Sequence, residues 1–293
     1  MNDCTKIEIS LIVATAGRVD ELQKLLASIA RQTRTDFELI IVDQNTDDRI
    51  EQLLKRLQLP FTCVHASSAL GASKARNVGI KQAQGNILGF PDDDCWYPLT
   101  MLAQVKEWFD RNSHYDFLCC SAQDENHNEV AARWPSRSVD IDRATVLRAC
   151  NCSSLFIRRT AAVQTGGFDE SMGPGPETTV KATEENDFAL RLMAGSYRGR
   201  FEKSLHIFHP RKEAGSGTTD RALNYGIGFG FLLRKHDYPI YTLAYHVIRP
   251  LGGIVRAFSR ASLKEVRFYW KSAIGRLIGY INTNTLKKTP IQS

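Results

Sequence analysis

The sequence predicts an α/β protein built on a mostly parallel, doubly wound sheet. Two features of its first hundred residues carry that prediction. Short β-branched, apolar runs alternate with amphipathic segments of helical length. Acidic or turn-forming residues then stand where the apolar runs end.

Residues 7–13 (IEISLIV) read as a buried strand bounded by Ala16 and Gly17. Residues 20–31 follow as a helix, with Leu22, Leu25, Leu26 and Ile29 at helical spacing. The alternation continues with a strand at 37–42 (FELIIV), a helix at 48–57, a short strand at 61–65 and a helix at 72–83. A strand at 86–90 runs straight into Pro91 and the acidic run Asp92-Asp93-Asp94. This order predicts right-handed crossovers, with ligands bound beyond the carboxyl ends of the strands. Residues 15–18, 43–47 and 92–94 all fall at such ends, so one pocket could gather them. After Pro98 the alternation loosens. A helix is expected at 99–111, strands near 115–120 and 153–158, a helix at 184–194 and a strand near 201–207. The Gly/Pro-rich stretch 166–181 reads as a long loop, a class that is often functional.

Charge is unevenly placed. The net charge is +6, yet from Arg234 onward eleven Lys and Arg face two acidic residues, leaving the first 233 residues near −3. No uncharged apolar run approaches the roughly 20 residues needed to span a bilayer, and the opening MNDCTKIEIS lacks the features of a signal peptide. A cytoplasmic protein is therefore expected, with its seven cysteines reduced and mostly serving as small buried hydrophobes.

Five groups of residues carry chemistry. Three adjacent carboxylates at Asp92, Asp93 and Asp94 need neutralisation, which Mn²⁺ or Mg²⁺ would supply while leaving positions open for diphosphate oxygens. A solvated acidic turn is the plain alternative. Asp43, followed by Gln44, Asn45 and Thr46, could accept from a nucleobase N–H or ribose hydroxyls, or could close its strand as an Asx-turn. Lys74, Arg76 and Asn77 open a helix and offer donors suited to phosphate and ribose. Glu184, Glu185 and Asp187 begin another helix, where acids suit the dipole; one with a raised pKa could instead deprotonate an acceptor hydroxyl. His209, followed by Arg211 and Lys212, could be a third metal ligand or a surface histidine.

In this order the motifs resemble the inverting glycosyltransferases of family 2, which have the nucleotide-diphospho-sugar transferase (GT-A, Rossmann-like) fold. SLIVATAGRVDELQKLLASIARQT is similar to their first strand and helix, and FELIIVDQNTDD to their nucleoside-binding strand end. GASKARNVGIKQAQGNILGFPDDDCWYP resembles the central block that ends in the Asp-x-Asp motif, and MGPGPETTVKATEENDFALRLM the acceptor-side loop and Glu-Asp motif. The resemblance spans residues 8–211. It implies that Thr15 and Arg18 line the nucleotide pocket with Asn45 and Lys74, and that Asp43 holds the base. It places Arg76 and Asn77 by the ribose and diphosphate. Asp92 and Asp93 fall on the donor side, Asp94 with Asp92 at the metal, and His209 near the family's metal- or diphosphate-contacting histidine. Glu185 falls at the general base, with Glu184 and Asp187 beside it. The chain departs from the family in having Ala14 for a common Pro, Gln44 and Asn45 in place of acidic residues, and Glu185 where Asp is more usual.

The implied organisation is a nucleotide-sugar-binding half at 1–98, an acceptor-binding and catalytic half at 99–233, and a basic amphipathic helical region at 234–293. Within the last, Val266, Trp270, Ala273, Leu277 and Ile281 repeat at helical spacing over 254–281, beside a basic stripe of Arg256, Arg260, Lys264, Arg267 and Lys271. Such a helix can lie in an anionic bilayer interface or pack on the catalytic domain. The expected reaction moves a sugar with inversion from a nucleotide-sugar donor, a UDP-sugar foremost, to a saccharide or lipid-linked saccharide, as in bacterial surface-polysaccharide assembly at the inner face of the membrane. No recognition motif accompanies the charge, so nucleic acid is not an expected partner. The alternatives are a retaining glycosyltransferase or a nucleotidyltransferase on the same fold, or a non-catalytic membrane-associated scaffold. ATAGR is short for a nucleotidyltransferase loop, and the intact acidic motifs argue against a scaffold.

Overall fold

The computed structural model describes residues 6–130, 134–211, 218–260 and 262–282. Lys212 and the end of the expected basic region, 283–293, lie outside the described residues. The chain forms two compact units, one of residues 1–168 and 188–211, the other of 169–187 and 212–293.

The first unit follows the expected alternation: β1 (Ile9–Thr15), α1 (Asp20–Ile29), β2 (Phe37–Asp43), α2 (Arg49–Arg56), β3 (Thr62–Ser67), α3 (Ala72–Gln82), β4 (Ile87–Gly89) and α4 (Met101–Arg111). Then come β5 (Phe117–Gln123), β6 (Val139–Asp140), α5 (Val146–Ala149), β7 (Leu155–Arg158) and α6 (Arg159–Gln164). The helix α7 (Glu184–Ala194) begins in the second unit, and β8 (Gly199–Phe208) closes the sheet of the first.

Eight strands form one sheet in the order β3-β2-β1-β4-β7-β5-β8-β6. The pairs of β1 with β2 and β4, of β2 with β3, and of β5 with β8 are parallel. β7 runs antiparallel to both β4 and β5, so the parallel half gives way to a mixed one. Every residue of β2 is buried, as befits a parallel strand covered on both faces. That burial includes Glu38, whose carboxylate accepts from Ser10 Oγ and from the backbone N–H of Gln84. Gly85 donates to the same serine hydroxyl. A Cβ at Gly85 would stand 2.6 Å from Ser10 N, so the turn entering β4 needs glycine for close approach to β1.

Between Cys120 and Ser121 the pairing of β5 jumps on β8 from Glu202 to His206. This bulge sends the end of β8 toward the loop that follows β4. There Trp96 and Phe208 exchange backbone hydrogen bonds of 3.0 and 2.9 Å, and their rings stack at 5.6 Å.

The second unit contains the loop after Phe168, the first turn of α7, and the helices α8 (Thr218–Lys235), α9 (Ile240–Ser259) and α10 (Leu263–Ile281). The stripe expected to be continuous over 254–281 is divided between α9 and α10. Met172, Val180 and Phe231 form a small core between loop and α8. The helices α8 and α10 touch backbone to backbone through Gly226 and Gly230 on one and Gly275 and Gly279 on the other. A Cβ on Gly279 would stand 2.0 Å from Ile227 O, and one on Gly230 2.0 Å from Arg276 O. Gly279→Ala is therefore expected to lower stability by roughly 1–3 kcal/mol through forced separation of the helices. Gly252→Ala in α9, which meets nothing within 4 Å, should be neutral or slightly stabilising. Denaturant midpoints of the two variants check this contrast.

Candidate active site

The strand ends of the first unit converge as their sequence positions suggest. Thr15, the last residue of β1, donates from Oγ1 to Asp93 Oδ2 at 2.9 Å. Arg18, in the turn after β1, donates from Nη1 to Asp93 Oδ1 at 2.7 Å and to Asp94 Oδ2 at 2.9 Å. Arg76, in α3, donates from Nη2 to Asp92 Oδ1 at 3.2 Å and stacks 5.4 Å over the Phe168 ring. Each carboxylate of the acidic run thus meets a cation of the chain itself, which lets three adjacent acids stand together. Asp93 is buried, and that desolvation raises its pKa despite the opposing pull of Arg18 and Thr15. Asp93 faces the inside of the turn, where it fixes Thr15 and Arg18.

His209 follows β8 directly and is held by the Trp96–Phe208 pairing and by its own N–H to Gln123 O. Its Nε2 lies 3.2 Å from Asp94 Oδ1 and 3.9 Å from Asp92 Oδ2. Burial alone would lower its pKa, but the Asp94 hydrogen bond and charge raise it above the ordinary value. One donor atom each from Asp92, Asp94 and His209 lies within 4.8 Å of the others. Two carboxylates and an imidazole on converging backbone ends form a donor set that fits Mn²⁺, with Mg²⁺ served by the oxygens.

On the far side of β1, Asp43 at the end of β2 forms an Asx-turn: Oδ1 accepts the Asn45 backbone N–H at 2.9 Å and its side-chain N–H at 2.7 Å. Asn45 Oδ1 accepts from Gly17 N–H at 2.7 Å, tying the β1 and β2 ends together. His65 Nε2 stands 3.1 Å from Asp43 Oδ2, and Gln44 Oε1 accepts the Gly71 N–H at 2.7 Å. Sequence reading missed His65 as a member of this cluster. The signal for His65 was its place in β3, the neighbour of β2, two pairs before the partner of Asp43. Asn77, expected beside ribose and diphosphate, exchanges both amide groups with the Phe168 backbone. Its geometry is that of a clamp on the 167–168 turn. Lys74 is exposed on the first turn of α3.

The second unit holds the acidic helix start. Thr183 has a left-handed backbone (φ 69°), a strained conformation for a β-branched residue just before Glu184. Asp187 is fully buried, and its Oδ1 meets Lys235 Nζ at 2.7 Å and His236 Nε2 at 2.8 Å. Lys235 also donates to Asp169 Oδ2 at 2.6 Å. Glu184 is buried and Glu185 half-buried. This separates the three acids that sequence reading left together: Asp187 anchors the helix start to α8, whereas Glu185 keeps partial access. Burial opposes ionisation of Asp169, yet hydrogen bonds from Lys235 and Ser171 hold its pKa below the ordinary range. A depressed carboxylate adds stability at neutral pH that is lost as pH falls through its folded-state value. Lys235→Met leaves Asp187 and Asp169 short of a buried cation and should cost roughly 3–5 kcal/mol. Urea unfolding from neutral to acid pH should show the difference between wild type and variant shrinking on the acid side.

An α/β sheet with a carboxylate-rich turn beyond its strand ends fits a protein of the nucleotide-diphospho-sugar transferase type. The profile of Glycosyl transferase family 2 matches residues 10–169, and the chain belongs to that family. An uncharacterised glycosyltransferase of Haemophilus influenzae is 28% identical over 191 residues, and YwdF, an uncharacterised glycosyltransferase of Bacillus subtilis, is 32% identical over 213. These alignments take in 63% and 71% of this chain; the chain spans 62% of the length of the first relative and 76% of the second. WfaP of Escherichia coli, a UDP-Glc:alpha-D-GlcNAc-diphosphoundecaprenol beta-1,3-glucosyltransferase, is 27% identical over 165 residues, covering 52% of this chain and 61% of its own. Among solved structures, the Pyrobaculum calidifontis mannosyltransferase PcManGT in complex with GDP-Man and Mn²⁺ superposes with a TM-score of 0.65 at 14% identity, over 94% of this chain and 87% of its own. That likeness establishes the GT-A fold.

Proposed function

We propose that this protein transfers a sugar, with inversion, from a nucleoside-diphosphate donor to a hydroxyl of a lipid-linked saccharide. The observation that carries the reading is the convergence of Asp92, Asp94 and His209 within 4.8 Å beside Arg18 and Arg76. Asp92, Asp94 and His209 would hold a divalent ion, which when bound would neutralise the charge growing on the leaving diphosphate. Arg18 and Arg76, already paired to those carboxylates, stand ready to meet diphosphate oxygens. Asp43, Asn45 and His65 receive the nucleoside at the β2 and β3 ends, and residues 1–98 form the donor half. Glu185 takes the proton of the acceptor hydroxyl. That oxygen attacks the anomeric carbon as the bond to the diphosphate breaks, and the electron pair leaves with the diphosphate. UDP is the first donor nucleotide to test, because WfaP is a UDP-glucose enzyme by name; its diphosphoundecaprenol acceptor supports a lipid-linked acceptor.

The test is a thermal-shift panel of UDP- and GDP-sugars with and without Mn²⁺, followed by NMR of the product linkage. One nucleotide sugar should stabilise the protein only with the ion, by several degrees at saturating ligand. The new linkage should have the anomeric configuration opposite to the donor. Retention of configuration would remove the single-displacement mechanism, and shifts without any metal dependence would remove the metal role.

A further inference from the structure

We propose that α9 seats this protein on the surface of an anionic lipid bilayer, lying in the plane of the headgroups with one apolar face immersed. The face follows from three sets of positions repeating every seven residues. Leu243, Pro250 and Ala257 are buried and form the side by which α9 joins its own unit. On that inner side Gly253 adjoins Tyr269 of α10, and the His246 ring packs 4.6 Å from Phe229 of α8. Two other columns face outward. Tyr241, Ile248 and Val255 are 72%, 63% and 72% exposed, and Leu251 and Phe258 are 39% and 63% exposed. At 3.6 residues per turn these columns are adjacent, so they merge into one apolar stripe along a helix of 20 residues. A soluble surface rarely leaves so long an apolar stripe in water unless something covers it.

Charge identifies the cover. Arg249 and Arg256 lie on the flank beyond Tyr241, Ile248 and Val255, separated from them by the column of Tyr245, Gly252 and Ser259, and Arg260 follows at the end of the helix. Between Asp237 and Glu265 there is no acidic residue. An apolar stripe with arginines and no acidic residue on its flank matches the boundary between acyl chains and anionic headgroups. A second copy of the chain fits less well, because a two-fold contact through this stripe would bring the like-charged edges toward one another. No described helix is long and apolar enough to cross a membrane, so the contact is interfacial. The structure also moves the contact from its expected place. In α10, Ala273, Gly275 and Gly279 are buried, the two glycines against α8, which favours the packed alternative for that helix, although Trp270, Leu277 and Ile281 remain exposed. Bilayer contact through α9 needs no sugar donor and is independent of sugar transfer.

Vesicle flotation of the full chain tests it, with phosphatidylcholine vesicles made with and without phosphatidylglycerol. Wild type should float with the anionic vesicles and far less with the neutral ones. Ile248→Glu with Val255→Glu should lower partitioning at least about tenfold, since two apolar side chains leave the acyl boundary. Arg256→Glu with Arg260→Glu should lower it and flatten its salt dependence. Thermal melts should match wild type in both pairs; Tyr241→Ser with Val255→Ser serves as a milder pair if the glutamates perturb folding. Wild type remaining unbound to anionic vesicles overturns the proposal, as does flotation of the Ile248/Val255 pair at the wild-type level. A dimer that the same pair dissolves, with no vesicle binding by wild type, assigns the stripe to a second copy instead.

Discussion

Asp94→Asn is expected to lower sugar transfer by about three orders of magnitude while the protein stays folded. Asp94 lies at the meeting point of His209 at 3.2 Å and Arg18 at 2.9 Å. Asparagine preserves its shape and one acceptor oxygen but removes the charge that holds a divalent ion. An ion at the leaving diphosphate supplies several kcal/mol of transition-state stabilisation, and each 1.36 kcal/mol is about a tenfold change in rate. Asp93→Asn should behave differently. Asp93 is buried against Thr15 and Arg18, so its loss disturbs the turn and lowers thermal stability along with activity. Parallel measurement of turnover and melting temperature distinguishes the two: Asp94→Asn loses turnover with little change in melting, and Asp93→Asn loses both.

The second large effect is at Glu185. Glu185→Gln should reduce transfer by about 10²–10⁴-fold, the range contributed by a positioned general base, with donor and Mn²⁺ binding close to wild type. Asp187→Asn makes the informative contrast. It weakens a fully buried acceptor for Lys235 and His236, so it should destabilise the protein, with lost activity tracking lost fold. Isothermal titration of donor into each folded variant, beside single-turnover transfer, separates a missing base from a displaced helix. Wild-type turnover in Glu185→Gln would pass the role to Glu184, the other carboxylate of that turn.

The first hundred residues were legible because their apolar strands are continuous and the strand ends are marked by polar residues. The extents of β1 to β4 and α1 to α3 fall within two residues of those read from apolar spacing. The α7 range matches the reading at both ends. The antiparallel insertion of β7 was not legible, because a short apolar run such as Leu155–Ile157 looks the same in either direction. The β8 bulge was also hidden, since nothing in its sequence marks the jump in pairing, yet it helps bring His209 to Asp94. The helix α8 was missed for a physical reason. No element was expected over 218–235, where Gly226, Gly228 and Gly230 lower helix propensity, but Gly226 and Gly230 are what admit α10 to backbone contact. Spacing marked Asp92 to Asp94 as a group but not which cation each would meet, and it gave no sign of the hydrogen bonds between Asn77 and the Phe168 backbone. Side-chain partners ninety residues apart leave no local trace.

On the proposed function, Asp92, Asp94 and His209 together should bind a divalent ion whose coordination a nucleoside diphosphate completes. Electron paramagnetic resonance of Mn²⁺ titrated into the protein with UDP or GDP tests it most directly, with electron spin-echo modulation reporting nitrogen bound to the ion. Wild type should take up Mn²⁺ far more tightly with the matching nucleotide and show imidazole nitrogen modulation. His209→Ala should lose that modulation, and Asp92→Asn with Asp94→Asn should lose tight uptake. Undiminished nucleotide-dependent Mn²⁺ binding in the double aspartate variant, or nitrogen modulation that survives loss of His209, would contradict the assignment.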